Sequence, residues 1–251
     1  MNTSIEGQME KNKSIDIHCH IMPGVDDGSP DIETSLAMLK MAVNDGIEQI
    51  ILTPHYKPMH HNVRPQKNEL YRQKLQQIAQ EKGIKVQLFS GNEIYYSGET
   101  QEQLVNREIC TLAGSDYVLV EFHPTDIYSN IHNAMYQIIS AGFTPILAHV
   151  ERYSDIVSHP KYVDELIALG CYIQVNASSV MGKYGFGTRL FTRKLLKSRK
   201  VHFVATDAHD TGRRAPLLSE CREYVERKID SAYADDIFYN NPLAVIKGEI
   251  I

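Results

Sequence analysis

Apolar and polar positions along this chain fall into two alternating kinds of segment. Seven short runs, at residues 15–19, 49–53, 85–90, 117–122, 144–148, 171–175 and 201–206, are rich in Ile, Val, Leu, Tyr and Phe. Each has the length of a strand buried on both faces, which shows as a nearly continuous apolar run. Between them lie longer stretches with apolar residues near helical spacing, at 32–44, 70–82, 131–141, 162–169 and 188–197. The first begins at Ser29-Pro30-Asp31, a capping sequence, and three others run into Gly83, Gly142 and Gly170, natural C-terminal stops. Strand, helix, strand, repeated, predicts a parallel sheet with helices outside it. Seven strands suit a closed or nearly closed barrel, and an open doubly wound sheet has the same periodicity. No repeat, low-complexity segment or Pro/Ser-rich linker marks a boundary. Residues 14–251 therefore read as one domain behind a polar, flexible extension over 1–13.

Composition narrows the class. With 251 residues, 43% of them hydrophobic, the chain can bury one sizeable core. Its formal net charge of -5 argues against nucleic-acid binding, which needs a basic surface. The first 14 residues hold no apolar core of a signal peptide, and no apolar run approaches the roughly 20 residues of a membrane span. No membrane insertion and a cytoplasmic location are expected. Cys19, Cys110, Cys171 and Cys221 are scattered without a CxxC pair, which fits reduced thiols better than a disulfide framework.

The ends of the apolar runs carry the chemistry. The first run ends in His18-Cys19-His20 with Asp27 in the following loop; the second is followed by Pro54-His55 and the third by Gly91-Asn92-Glu93. Glu121, His149, Asn176 and Asp207-Ala208-His209 stand at the ends of the other four. In a barrel of alternating strand and helix, those ends form the mouth where active sites are built. Side chains alternate along a strand, so His18 and His20 should project together with Cys19 opposed, and Asp207 should pair likewise with His209 if the strand reaches that far. One such residue alone is commonly a hydrogen-bonded or capping group, and Asp27 sits in a turn-like Asp-Asp-Gly. The whole set at successive strand ends calls for a compensating cation. Imidazole with carboxylate, without thiolate, suits Mn, Fe or Zn, and the donors outnumber what one ion can take.

These residues resemble the motif set of the PHP (polymerase and histidinol phosphatase) superfamily. The strings IDIHCHIMPGVDDG, TPHY, GNEIYY, LVEF, AHVERY and VHFVATDAHDTGRR are similar to those of one branch, the CpsB/YwqE group of manganese-dependent protein-tyrosine phosphatases of Gram-positive bacteria. The resemblance implies a (β/α)7-type distorted TIM barrel with two or three Mn2+ ions at the C-terminal ends of the strands, Fe or Zn being alternatives. It implies that His18, His20, Glu93 and Asp207 hold one ion, that Glu93 bridges to a second held with Glu121 and His149, and that Asp27, His55 and His209 hold a third. Arg152 and Arg214 would grip the phosphoryl group, a task for a planar guanidinium fork. His55 or His209 could pass a proton to the leaving group. Many relatives have proline where this chain has Val150, and valine is expected to keep an extended backbone there. The implied substrate is a tyrosine-phosphorylated protein, the tail of a bacterial tyrosine kinase in control of capsule or exopolysaccharide synthesis.

Two other motifs are decoys. Cys221 and Arg227 have the CxxxxxR spacing of cysteine-dependent phosphatases, but the residues between them contain no glycine and read as a helix. Residues 182–187 are glycine-rich without the Lys-Ser/Thr ending of a phosphate-binding loop, which makes them a turn before a helix. Residues 56–65, with Lys57, His60, His61 and Arg64, form either a mobile lid or an ordinary solvated loop. The rival functions are a PHP phosphatase of a small ester such as histidinol phosphate, a PHP nuclease, and a metal-binding regulatory module without turnover.

Overall fold

The computed structural model describes residues 13–60 and 62–251, so most of the predicted extension, and His61, lie outside the described residues. Strand β1 (Ser14–Cys19) pairs in parallel with β2 (Ile47–Leu52), and β2 with β4 (Gln87–Ser90). Strand β3 (His55–Tyr56) pairs with β5 (Glu93–Tyr95). The row continues in parallel through β6 (Tyr117–Glu121), β7 (Thr144–Leu147), β8 (Tyr172–Asn176) and β9 (Phe203–Ala205).

β3 continues the line of β2, and β5 that of β4. The break at Pro54 follows from its missing N–H. At Gly91 a Cβ would lie 2.9 Å from the Ile51 and Leu112 side chains, so the backbone passes where no side chain fits. The ring then closes: Asp207 N–H donates to the His18 carbonyl and His20 N–H to the Ala208 carbonyl, both at 2.8 Å. Seven strand positions thus form a barrel rather than an open sheet.

Helices cover the outside. Among them α1 (Ile32–Asn44) starts at Asp31, whose carboxylate accepts from Thr34 N–H at 2.8 Å, and buries Met38, Leu39 and Ala42. Helix α2 (Pro65–Glu81) begins five residues before the predicted 70, because Pro65 occupies the first turn, where its fixed φ is already helical. Helices α3 (Thr100–Val105), α4 (Tyr128–Ser140), α5 (Ser154–Ser158), α6 (Lys161–Leu169), α7 (Ala177–Val180) and α8 (Phe186–Lys197) follow. The chain ends with α9 (Ser219–Lys228), α10 (Ser231–Asp235) and α11 (Asn241–Lys247). No described helix is long and apolar enough to cross a membrane.

The inward rows place the site. Tyr117 and Leu119 precede Glu121, Ile146 precedes Ala148, and Phe203 and Ala205 precede Asp207. The apolar members, with Ile17, Ile51, Leu112 and Val245, form a buried inner cluster, while Val118, Val120, Leu147, Ile173, Val175 and Val204 pack outward in the larger cluster that includes residues of the helices. The barrel is therefore filled with hydrocarbon towards its N-terminal end and turns polar only at its mouth.

Candidate metal centre

Local backbone features set the donors. In β1, three steps from Asp16 to Cys19 face two from Ile50 to Leu52, a bulge at the mouth end of the strand. His18 and His20 both enter the centre, and Cys19 packs in the outer cluster, as alternation predicts. Alternation does not explain the last pair. β9 ends at Ala205, and Asp207 (φ 52°) lies in the left-handed region, so a kinked backbone delivers Asp207 and His209. His149 (φ 34°, ψ 58°) is also left-handed, and Val150 opens a 3-10 turn over Val150–Arg152 rather than the expected extended segment. Two non-glycine residues in that region store strain of about 1–3 kcal/mol each at the mouth.

Glu93 is the hub. It is 1% exposed. Its Oε1 lies 2.7 Å from His149 Nε2 and 3.2 Å from His18 Nε2, and its Oε2 lies 3.2 Å from His20 Nε2 and 3.0 Å from His55 Nδ1. Glu121 stands beside it, with Oε1 3.1 Å from His55 Nδ1 and Oε2 3.7 Å from His149 Nε2. Asp27, on the open side, is 3.2 Å from His55 Nε2 and 3.6 Å from His209 Nε2. Asp207 Oδ1 is 3.4 Å from His18 and 3.6 Å from His20. Donor atoms thus group as His18, His20, Glu93 and Asp207; as His20, Asp27, His55 and His209; and as His55, Glu93 and Glu121. The first group equals the implied first set. The second adds His20 to the implied third set, and the last has His55 where the resemblance puts His149, although His149 touches the same two carboxylates.

The tautomers follow from the partners. His18 Nδ1 faces the Gln174 amide oxygen at 3.2 Å, His20 Nδ1 faces Asp26 Oδ2 at 2.7 Å, and His209 Nδ1 faces the Asp207 carbonyl at 3.0 Å. Those oxygens only accept, so each Nδ1 carries the proton and each Nε2 presents a lone pair inward. Lone pairs facing carboxylates need a proton or a cation between them. Burial alone would depress the His20 imidazole, yet its hydrogen bonds with Asp26 and Glu93 lift it to about 9. His55 is likewise pushed up to about 12, against burial, by Asp27, Glu121 and Glu93. Burial would raise Glu93, and the surrounding imidazoles hold it far below the usual carboxylate range instead. Buried His55 Nδ1, Glu121 Oε1, His149 Nδ1 and His209 Nε2 have no aligned hydrogen-bond partner. His55, Glu121 and His209 among them belong to the donor groups, and their orphaned nitrogen and oxygen atoms fit divalent cations of the Mn, Fe or Zn type.

Both arginines reach the cluster. Arg152 Nη2 makes a short hydrogen bond to Asp207 Oδ2, and Arg214 Nη2 bonds Asp207 Oδ1 at 2.7 Å, with about a third and a quarter of their side chains exposed. They sit side by side at the mouth with one face open. Residues 56–65 begin as β3 and end in α2; between them Lys57 N–H donates to Asn62 Oδ1 at 2.8 Å and Asn62 Nδ2 to the Lys57 carbonyl at 2.7 Å. Cys221 and Arg227 lie in α9, Cys221 buried, and burial raises its thiol far above the usual value, as the helical reading of that stretch requires.

Sequence reasoning placed Asn176 at a strand end without giving it a partner and missed the other residues that hold the donors. Asp26, not only Asp27, belongs here: it binds His20, and its Oδ2 accepts from His55 N–H at 3.0 Å. Gln174 Oε1 also accepts from His149 N–H at 2.8 Å and its amide donates to Asn176 Oδ1, while Asn176 Nδ2 donates to Asp207 Oδ2 at 2.9 Å. Such outer partners fix ligand orientation. Gln174 and Asn176 on one face of a buried strand were the legible signal. Asp16, fully buried, accepts from Thr206 N–H and Oγ1, and burial lifts it to about 6; nothing in its neighbourhood in sequence marked it.

A family model described as capsular polysaccharide synthesis, CpsB/CapC, matches residues 14–247. The tyrosine-protein phosphatase CpsB of Streptococcus pneumoniae is 34% identical over 242 residues, covering 94% of this chain and 100% of that protein. The tyrosine-protein phosphatase YwqE of Bacillus subtilis (strain 168) is 32% identical over 222 residues, covering 86% and 85%. A crystal structure from work on YwqE and CpsB, described as unique metal-dependent tyrosine phosphatases, superimposes with a TM-score of 0.89 at 29% identity over 94% of this chain and 96% of that one.

Proposed function

The chain belongs to the CpsB/CapC family of capsular polysaccharide synthesis proteins, and from that membership we propose a metal-dependent protein-tyrosine phosphatase that uses no cysteine nucleophile. The observation that carries the reading is the meeting of four imidazoles on buried Glu93 beside two guanidiniums on Asp207. His18, His20, Glu93 and Asp207 would hold one ion, Glu93, Glu121 and His149 a second, and Asp27, His55 and His209 a third. Bound Mn2+, or Fe or Zn, would acidify a water to serve as nucleophile and offset phosphoryl charge.

The chain's own groups supply the rest. Arg152 and Arg214 exchange part of their contact with Asp207 for the phosphoryl oxygens, each offering a fork of charge-assisted hydrogen bonds. Asn176 keeps Asp207 partnered while they do so. His209 keeps its Nδ1 proton on the Asp207 carbonyl, which leaves its Nε2 a donor of electrons rather than of a proton. A tyrosyl group leaves as a phenolate with pKa near 10, so little general-acid help is required. His55, 12% exposed, faces Asp27 with Nε2 and Glu93 with Nδ1; holding an ion through one nitrogen, it would have only the other from which to pass a proton.

The substrate we infer is phosphotyrosine on a bacterial tyrosine kinase that controls capsule or exopolysaccharide synthesis, met in the cytoplasm by a single domain spanning 14–251. Support comes from the family's description and the names of its relatives. The test is turnover of a phosphotyrosyl peptide, a phosphoseryl peptide and histidinol phosphate side by side. Phosphotyrosine should dominate, EDTA should abolish activity and Mn2+ should restore it. Full activity in protein shown by elemental analysis to be metal-free overturns the reading.

A further inference from the structure

Residues 183–200 carry seven of the chain's 26 Lys and Arg residues and no Asp or Glu, in a protein of net charge -5. Most of them ride on α8. Arg199 and Lys200, beyond its end, are paired with Asp230 and Asp164. Among the described residues Lys183, Arg189, Lys194 and Lys197 have no carboxylate within ion-pair distance. They are not simply scattered. Arg189, Lys194 and Lys197 wall a groove of ≈ 530 Å³ between α8 and α9, whose floor is Phe186, Leu190 and Tyr224. Phe186 is 70% and Leu190 60% exposed, an unusual pair for a monomer surface. Arg193 is laid over the Tyr224 ring at 4.0 Å and fixes the groove's far wall.

One end of the groove, at Phe186, is two residues from Tyr184. At the start of α8, the Arg213 guanidinium lies 5.6 Å from the Tyr184 ring centroid, and its neighbour Arg214 holds Asp207. Cationic side chains therefore run from the reacting centre to the far end of α8. Twelve residues of helix span about 18 Å, the reach of about five residues of extended peptide.

We infer that this groove docks an acidic, carboxylate-bearing stretch of the polypeptide substrate beside the phosphotyrosine being hydrolysed. This rests on the phosphatase reading and extends it from the reacting group to the flanking chain. Continuity with the mouth favours a peptide over an anionic membrane, since a membrane surface would have no need of a track ending at Asp207. Charge complementarity of this kind raises encounter rate and affinity without touching the chemical step.

The experiment uses the Mn-loaded full chain, p-nitrophenyl phosphate, a phosphotyrosyl peptide flanked on both sides by glutamates, and the same peptide with glutamines. For wild type the acidic peptide should have the lower KM, by about tenfold at low salt, the advantage shrinking as ionic strength rises. Arg189→Glu/Lys194→Glu/Lys197→Glu should erase that advantage while kcat, the glutamine peptide and p-nitrophenyl phosphate stay within about twofold of wild type. Fluorescence anisotropy of the acidic peptide in unphosphorylated form reads the groove without turnover, and the triple variant should bind it about tenfold more weakly. Equal KM and equal binding for acidic and glutamine peptides in wild type overturn the inference. So does a variant that loses only binding to vesicles of anionic lipid. If no aryl phosphate is turned over, the phosphatase reading falls, and the anisotropy still decides the groove.

Discussion

Arg152 stands between assembly of the centre and use of it. Its guanidinium contacts Asp207, but that carboxylate also has Arg214 and Asn176, so removing Arg152 leaves it partnered. Arg152→Ala should therefore keep metal content and melting temperature near wild type. Activity on a phosphotyrosyl peptide should fall by about tenfold or more, because a charge-assisted hydrogen bond is worth about 1.5–3 kcal/mol and each 1.36 kcal/mol of barrier is about tenfold in rate. Arg152→Lys should recover little, since the ammonium keeps the charge and loses the fork. Steady-state kinetics with elemental analysis on the same samples decide it, and a near-normal kcat/KM removes the clamp.

Whole elements, rather than single side chains, bring the open-side donors into place. The loop after β1 folds back on its own strand: Ser29 N–H donates to the His20 carbonyl at 2.9 Å, and Gly24 N–H to the Ser29 carbonyl at 2.8 Å. At Gly28 a Cβ would lie 2.1 Å from the His20 carbonyl oxygen, a clash with backbone that no rotamer relieves. Gly28→Ala should displace the loop that carries Asp26 and Asp27. The expected result is less than wild-type metal per chain and an activity loss of about tenfold or more, with an unchanged far-UV circular dichroism spectrum. Wild-type stoichiometry and activity would show the loop to be more pliant than its contacts imply. Helix α9 makes the opposite statement about Cys221, which is 1% exposed on its inner face. Cys221→Ser should retain most phosphatase activity; a hundredfold loss at unchanged metal content would point to a thiol nucleophile.

At the scale of the molecule, stability has a pH dependence separate from the metal centre. His202 lies in the segment entering β9, at the N-terminal end of the barrel, where its Nδ1 accepts from Ile173 N–H at 3.0 Å; burial pushes its pKa down to about 4. A histidine depressed in the folded state binds fewer protons than in the unfolded chain, so stability is complete above its unfolded value near 6.5 and is lost as pH falls towards 4. Asn in its place can offer an oxygen to the same N–H without titrating. Between pH 7 and pH 4.5 wild type should lose about 2 kcal/mol more than His202→Asn, measured by urea unfolding in EDTA so that metal release is common to both. Parallel curves for the two proteins would remove His202 from the account.

What the sequence determined by itself was the count and direction of the strands and the identity of the donors, because both are local. Buried parallel strands announce themselves as apolar runs, and the runs of this chain end at or within a few residues of the groups they present, as His149 follows Ala148 and Glu93 stands three residues after Ser90. Tertiary structure alone decided the closure of the ring, since hydrogen bonds between Asp207 and His18 join residues 189 apart in sequence that no periodicity connects. It also decided which neighbours hold the donors. Gln174 serves His18 and His149, and Asp16 serves Thr206, across strands whose adjacency exists only once the barrel has formed. The left-handed turns at His149 and Asp207 belong to the same class. Asp and His enter that backbone more readily than most side chains, but the local sequence does not demand it, and the conformation persists because packing and hydrogen bonds from distant segments over-determine it.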